Sequence, residues 1–361
     1  MLQEELKKIL IKQRVLFVLV ILLVVQAGYI GFRGLYSHTV SKVPEKNNEI
    51  YEEYSHTLQG KWNPEKDARL DEWLQKLDKC TTEYNTLVDK MLKGEITDEI
   101  LYKYYKKTPF CQNQYVEVLD ELDQQRMYIK ENPNQRYMMK TNGWIYFFED
   151  HLIYVLYFVL LLVLYVPLFI REKESQMNLL QSLSATGQGH IFFIKILASW
   201  ITMFSGLLLL VIEKYVLYHL RCGLRNVTYP IQSLSIFSDC PWRVSIGVAI
   251  IVEILLLGCA GYLFCGIVTL CSTIVPRTIE VCFFMLILVF VPMFLVSEEL
   301  LFRYPILTSL LYPKQLTFGW RDINIGEMVY KSQSELVGIG VVTLLLGAII
   351  LLLAKKRGQK I

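Results

Sequence analysis

Six long apolar runs alternate with polar segments along the chain, at about 15–32, 151–170, 191–218, 244–270, 279–297 and 336–354. A helix needs about 20 mostly apolar residues to cross bilayer hydrocarbon, and each run approaches or exceeds that length. Ahead of the first run, Leu2, Leu6, Ile9 and Leu10 recur at helical spacing among Glu4, Glu5, Lys7 and Lys8. That is the pattern of a helix lying on a membrane surface. The same segment followed by "VLFVLVILLVVQAG" also has the form of a signal peptide, with Val25-Gln26-Ala27 as its cleavage site. The long leading segment and its two glutamates favour the surface helix.

Residues 33–150 are polar, rich in charge and tyrosine, and helical in period. Asn63-Pro64 is an N-cap and first-turn pair. Leu70, Trp73, Leu74, Leu77, Tyr84, Leu87, Val88 and Met91 then keep helical spacing, and Gly94 closes the helix. Thr108-Pro109 predicts the start of another helix, with Val116, Leu119, Leu122 and Met127 on one face and Asn132-Pro133 at its end. These stripes read as the core of a small helical bundle rather than a ligand box.

The Lys/Arg bias close to the spans sets orientation. Lys7, Lys8, Lys12 and Arg14 precede the first span, and Lys355, Lys356, Arg357 and Lys360 follow the last. The expected fold is an all-α membrane protein: six transmembrane helices, with a helical extracellular domain inserted between the first and second. Both termini are then cytoplasmic. In order, the expected parts are an interfacial helix (1–14), the first span (15–32), the external domain (33–150) and the second span (151–170). A cytoplasmic loop (171–190), the third span (191–218), an outer loop (219–243) and the fourth span (244–270) follow. A cytoplasmic turn (271–278), the fifth span (279–297), a second outer loop (298–335), the sixth span (336–354) and a basic tail (355–361) complete the chain.

Composition adds little beyond this. Apolar residues make up 53% of the chain and mean hydropathy is +0.35, in blocks that suit a bilayer better than a globular core. The formal charge of +3 contains no basic run for nucleic acid. Cys80 and Cys111 fall in the external domain and Cys222 and Cys240 in the next outer loop, so either pair can oxidise if geometry allows. Free thiols throughout are the plainer reading. Cys259, Cys265, Cys271 and Cys282 lie in or beside spans, where a thiol behaves as a small apolar group. There is no CxxC or Cys/His zinc spacing, no GxxxxGK[ST], no GxSxG and no HExxH. "SEELLFR" from Ser297 has the EExxxR form of intramembrane glutamate proteases, but no histidine follows His219 to complete such a site.

Three carboxylates lie within or beside spans. A charge at the bilayer centre costs at least about 2.5–3.5 kcal/mol, so such a group faces a partner or a cavity. Glu280 sits near Arg277 at the end of the fifth span. Glu213 adjoins Lys214, which neighbours it in sequence but not across a helix face. Glu253 is deepest, and either lines a translocation path, with Glu213 as the second candidate, or makes a structural hydrogen bond.

The stretch "REKESQMNLLQSLSATGQGHIFFIK", residues 171–195, is polar chain between two spans. Met177, Leu180 and Leu183 mark an apolar face, and Gly187 and Gly189 interrupt the helical pattern. Glu172, Glu174, Gly187 and Lys195 match in spacing the cytosolic loop of type-2 ABC exporters, and Leu180 or Leu183 and Ser184 match it in order, within two positions of the family's leucine and serine. In that family the loop reads about E-x-E-x-G-x-x-x-x-L-x-S-x-x-x-G-R, with a lysine eight residues after the last glycine. Gln176 and Gln188 replace the usual glycine and arginine. With six spans and an insert after the first, the chain resembles the ABC-2 permease subunits. A "PIQSLSIFSDCPWRVSIG" loop before the fourth span is similar to that of Gram-positive members.

The resemblance implies a permease half in a bacterial plasma membrane, exporting a lipid, glycan, peptide or drug. It implies pairing with a second copy or a homologue, among membrane lipids. It also implies an ABC ATPase subunit that binds ATP and Mg and grips residues 171–190 as a coupling helix. The chain itself is then no enzyme and carries no cofactor. The alternative is an accessory or sensory membrane protein whose external domain binds a peptide or envelope component.

Overall fold

The computed structural model describes residues 1–36, 48–108, 113–174, 188–238, 240, 243–274, 277–295, 323–325, 328–330, 342, 345–347, 349 and 352. It is mostly helical. Helices α1 (Leu2–Lys7) and α2 (Val15–Tyr36) come first. Helices α3 (Asn48–Leu58), α4 (Pro64–Leu92), α5 (Asp98–Lys107) and α6 (Asn113–Glu131) build the insert. The short α7 (Asn142–Glu149) leads into α8 (Leu152–Glu174). Helices α9 (Gln188–Cys222), α10 (Ile246–Ile274) and α11 (Thr278–Leu295) follow. The all-α expectation is amended by two small antiparallel pairs. Strand β1 (Gly60–Lys61) joins β2 (Tyr137–Met138), and β3 (Ile323–Ile325) joins β4 (Met328–Tyr330).

Four helical stretches among the described residues are long and apolar enough to cross a membrane: Val15–Phe32, Asn142–Leu168, His190–Cys222 and Ile246–Thr269. These answer the first four expected spans. The second stretch starts earlier than expected, because the apolar α7 runs up to a break at Asp150 and His151. Helix α11 adds a further apolar helix, with Val281 and Met285 wholly buried. Most of the expected sixth span, 336–354, lies outside the described residues.

Helix α8 is the centre of the bundle and packs on α2, α9, α10 and α11. Tyr157, Leu161, Leu164 and Tyr165 along it are completely buried. Cross-links fix the helix directions. Gln26 Nε2 on α2 donates to the Leu210 carbonyl at 2.9 Å, and Arg221 donates to the carbonyl of Ile30. Helices α2 and α9 therefore run parallel. Tyr154 donates to Glu253 and Tyr157 to the Leu257 carbonyl at 3.1 Å, so α8 and α10 also run parallel; Lys214 reaches Asp150 and Tyr165 reaches Met203, so both run opposite to α9. The insert and residues 223–245 thus gather at one end of the bundle. Helix α1, the end of α8 and the start of α9 gather at the other. The buried Gln26 lies in the middle of the expected signal-peptide cleavage site, so α2 is an integral part of the packed bundle.

The amphipathic start is a separate helix, as its spacing predicts. After α1 the chain widens into a π-helix, Lys8–Lys12, and Arg14 turns it at φ 59° before α2 begins. Leu2, Leu6 and Leu10 are half-buried and Ile9 is wholly buried, with Leu2, Leu6 and Ile9 packed into the bundle core.

In the insert, Asn63 caps α4 by accepting from the Lys66 N–H at 2.9 Å, Pro64 opens the helix, and Gly94 at φ +76° follows its end. The core is Tyr51, Leu58, Leu70, Val118, Leu119, Leu122, Ile129 and Met138. Two expectations fail here. The buried face of α6 carries Val118 and Ile129, whereas Val116 and Met127 are exposed. The apolar stripe of α4 reaches the core only through Leu70, Trp73, Leu74 and Leu77, because its second half packs on α5, with Tyr84 beside Tyr105. Helix α6 begins at Asn113, and Pro109 lies outside the described residues. Cys80 is disulfide-bonded, against the plainer reading of free thiols; Cys111 lies outside the described residues. Cys222 and Cys240 are both reduced thiols.

In lipid, close backbone approach replaces the hydrophobic drive between helices. A Cβ at Gly261 of α10 would overlap the Tyr157 hydroxyl and the Met203 sulfur, and one at Gly258 would overlap the Phe204 ring. Replacing Gly261 by Val should therefore cost about 1–3 kcal/mol or more. It should lower the melting temperature of the detergent-solubilised chain. Gly28→Val, where nothing lies within 4 Å of the new Cβ, should leave it unchanged.

Candidate functional site

Three charged side chains of the membrane-crossing stretches, Asp150, Lys214 and Glu253, converge at the insert end of the bundle. Asp150, only 1% exposed, sits in the break between α7 and α8. Its Oδ1 accepts from the Leu152 N–H at 3.0 Å, closing the first turn of α8. Its Oδ2 accepts from the Tyr218 hydroxyl at 3.2 Å, and its carbonyl accepts from Lys214 Nζ at 3.0 Å. Lys214 and Tyr218 are four residues apart on α9 and so share a helix face. The Lys214 ammonium also lies 4.6 Å from the centre of the Phe147 ring, a cation–π distance.

Glu253 faces this group from α10. It is 7% exposed, and its Oε1 accepts from the Tyr154 hydroxyl at 2.6 Å. Asp150 and Tyr154 are again four apart, at the start of α8. Glu253 and Lys214 line one small enclosed cavity of about 10 Å³, with Phe147, Val211, Ile250 and Leu257 among its apolar walls. That volume is at the lower limit for a single water. A carboxylate and an ammonium therefore look into the same space across three helices.

Glu213 is not brought to this site. It is half-buried on another face of α9, and its Oε2 is buried with no hydrogen-bond partner. The sequence reading that Glu213 and Lys214 do not pair holds, because successive helix residues diverge. Lys214, Asp150, Tyr154 and Tyr218 were missed by that reading. Their signal was present as two i, i+4 pairs, Asp150/Tyr154 and Lys214/Tyr218, at the same depth of adjacent spans. Glu280 lies 3.5 Å from Arg277 in an exposed pair.

The expected coupling residues divide differently. Met177, Leu180, Leu183, Ser184 and Gly187 lie outside the described residues. Glu172 and Glu174 do not open a separate segment, because α8 continues unbroken to Glu174. Gly189 does not interrupt the chain either, since α9 starts at Gln188. Lys195 is 4% exposed, inside the bundle.

No protein-family model, curated protein or solved structure matches the chain.

Two buried charges in one cavity couple energetically. Removing one side of a buried charge arrangement costs about 3–5 kcal/mol, because the other is left in a dry place. Lys214→Met should show a loss of that order in thermal unfolding of the purified chain. The double variant Lys214→Met/Glu253→Gln should be more stable than the sum of the two single losses. Tyr154→Phe, which removes one hydrogen bond to a buried carboxylate, should cost about 1–3 kcal/mol.

Proposed function

We propose that the chain is the membrane-spanning half of an ABC-2 type exporter, driven by an ABC ATPase on a separate subunit. The single observation that carries this is the ordered set Glu172, Glu174, Leu180 or Leu183, Ser184, Gly187 and Lys195 between two membrane-crossing helices. The architecture supports it. The end of α8 and the start of α9, which residues 175–187 join in sequence, lie at the bundle end that also holds α1, away from the insert. An amphipathic helix and a polar loop on one side are what a motor needs to grip.

The unbroken course of α8 gives that grip a mechanism. A partner that displaces the loop at Glu174 moves the helix that touches α2, α9, α10 and α11 together, because a packed helix shifts as a unit. Lys195, buried in the bundle, belongs to the transmission of that motion into α9 rather than to the docking surface. The opposite end of α8 is Asp150 and Tyr154, so displacement of the helix strains the Asp150–Lys214 and Tyr154–Glu253 links.

Orientation follows in this reading. The basic residues around α1 and after the last span face the cytoplasm. The disulfide at Cys80 suits a domain on the oxidising, outer side. Six spans, both termini inside, a bacterial plasma membrane of Gram-positive type, and a second copy or homologue across the membrane complete the proposal. Exposed apolar side chains on the bundle, Phe17, Val20 and Val24 of α2 and Phe283 and Ile287 of α11 among them, suit lipid or the second subunit.

Two measurements test it. A thiol at Ser182 (Ser182→Cys), compared with the unsubstituted chain, should react with a membrane-impermeant maleimide in inside-out vesicles and not in intact cells. Labelling from outside would overturn the exporter assignment. Purification from native membranes should bring down a nucleotide-binding ATPase. Leu180→Glu should reduce that association about tenfold or more while leaving the melting temperature unchanged; unchanged association would refute the coupling role.

A further inference from the structure

Helices α1 and α2 meet at a sharp elbow whose outer face the exporter reading leaves unused. After α1, the π-helical turn Lys8–Lys12 closes with the Gln13 N–H donating to the Lys8 carbonyl at 3.0 Å. The hydrogen bonds of a π-helix run from i to i+5, so residues four and five apart share a face. Ile11 and Lys12 therefore stand with Lys7, and Ile9 faces the other way. Burial agrees with this: Lys7, Ile11 and Lys12 are exposed, whereas Ile9 is wholly buried in the bundle core. In an ordinary α-helix Lys12 would be turned well away from Lys7.

Arg14 adds a third exposed cation at the corner, and its carbonyl accepts from the Val18 N–H to open α2. Its φ of 59° is a left-handed conformation that glycine adopts without strain and arginine does not. A strained arginine at this corner points to a role for its guanidinium. Among the described residues no carboxylate pairs with Lys7, Lys12 or Arg14, and Glu5 lies 3.8 Å from Lys8 instead. Glu4 is exposed, but it stands earlier on α1, farther from α2 along the chain.

Helix α2 sets the depth of these cations. Leu16, Phe17, Val20, Ile21, Val24 and Val25 make an exposed apolar stripe along it, which suits acyl chains. The stripe begins two residues after Arg14, and Phe17 is only about 4.5 Å farther along the axis than Arg14. The three cations thus stand where acyl chains end and headgroups begin. The anion found at that level of a membrane is the phosphate of a lipid.

We infer that the elbow binds an anionic phospholipid of the adjoining leaflet, with its headgroup among Lys7, Lys12 and Arg14 and its chains along Leu16 and Phe17. The other face of the same turn is packed into the bundle through Ile9, and α1 lies against α9. A bound lipid therefore fastens α1 onto the bundle end where α9 starts. The inference rests on α2 crossing a membrane and not on the exporter assignment.

Native mass spectrometry of the full-length chain in neutral detergent tests it, with phosphatidylglycerol and phosphatidylcholine of identical acyl chains at equal concentration. Phosphatidylglycerol should bind roughly tenfold more tightly or better. It should also raise the melting temperature, as a ligand of the folded state does, where phosphatidylcholine does not. The triple variant Lys7→Gln/Lys12→Gln/Arg14→Gln should lose both effects. Lys90→Gln/Lys93→Gln/Lys103→Gln, which removes the same charge at exposed positions of the insert, should keep them. Arg14→Gly separates charge from folding. Without lipid it should melt no lower than the unsubstituted chain, because the left-handed strain is relieved, yet its preference for phosphatidylglycerol should fall. Arg14→Lys should retain the preference. An undiminished preference in the elbow triple variant, or none in the unsubstituted chain, would overturn the proposal. So would displacement of the lipid by millimolar inorganic phosphate, the mark of a soluble-anion site. Loss of a dimer mass instead of bound lipid in the elbow variant would assign this face to a second copy and overturn it as well.

Discussion

In hydrocarbon, two apolar helices gain little from touching each other instead of lipid tails. The bundle therefore depends on how closely α8 is approached by its neighbours, and on a few polar links made from it. Three tyrosines on α8 supply many of these. Tyr154 reaches Glu253, Tyr157 reaches the Leu257 carbonyl, and Tyr165 reaches the Met203 sulfur at 3.3 Å. Two glycines on α10 supply the close approach. Without that contact geometry, the helices would still partition into a membrane but would have little reason to hold one arrangement.

The same helix links the two ends of the molecule. Its loop end extends past the apolar stretch to carry Glu172 and Glu174. Its other end is fixed by Asp150, whose carboxylate and carbonyl together receive a backbone N–H, a tyrosine and a lysine. A device that converts a push on one side of a membrane into rearrangement on the other needs a continuous element anchored at a polar node. The proposed exporter uses α8 in that way, with Lys214 and Glu253 as the groups whose spacing changes.

Much of the membrane-crossing part was legible because the bilayer imposes a length and a polarity that few other environments impose. The start of α4 was legible for a local reason: Asn63, Pro64 and Gly94 act through their own backbone. What failed depended on tertiary neighbours. Met127 has helical spacing with Leu119 and Leu122, but only the packing of α6 on α3 and α4 decides that Ile129 turns inward instead. The polar node was half legible. Glu253 stood out as a lone carboxylate in an apolar run. Lys214 carries no such mark in the sequence, because only the packing of α9 on α8 places it beside Asp150. The end of α8 was read too early because a switch from apolar to charged residues ends a span but need not end a helix.

The pairing of β1 with β2 closes roughly eighty residues into a loop whose two ends lie side by side, Gly60 against Met138. For such an excursion the entropy of closure grows only with the logarithm of length, by about 0.6 kcal/mol for each doubling. Changing the length of the chain between the two strands therefore costs little closure entropy, although Tyr128 within it is bonded to the Gln232 carbonyl at the bundle rim. A lineage of such chains could enlarge, shrink or replace the insert as a cassette and keep the same membrane chassis.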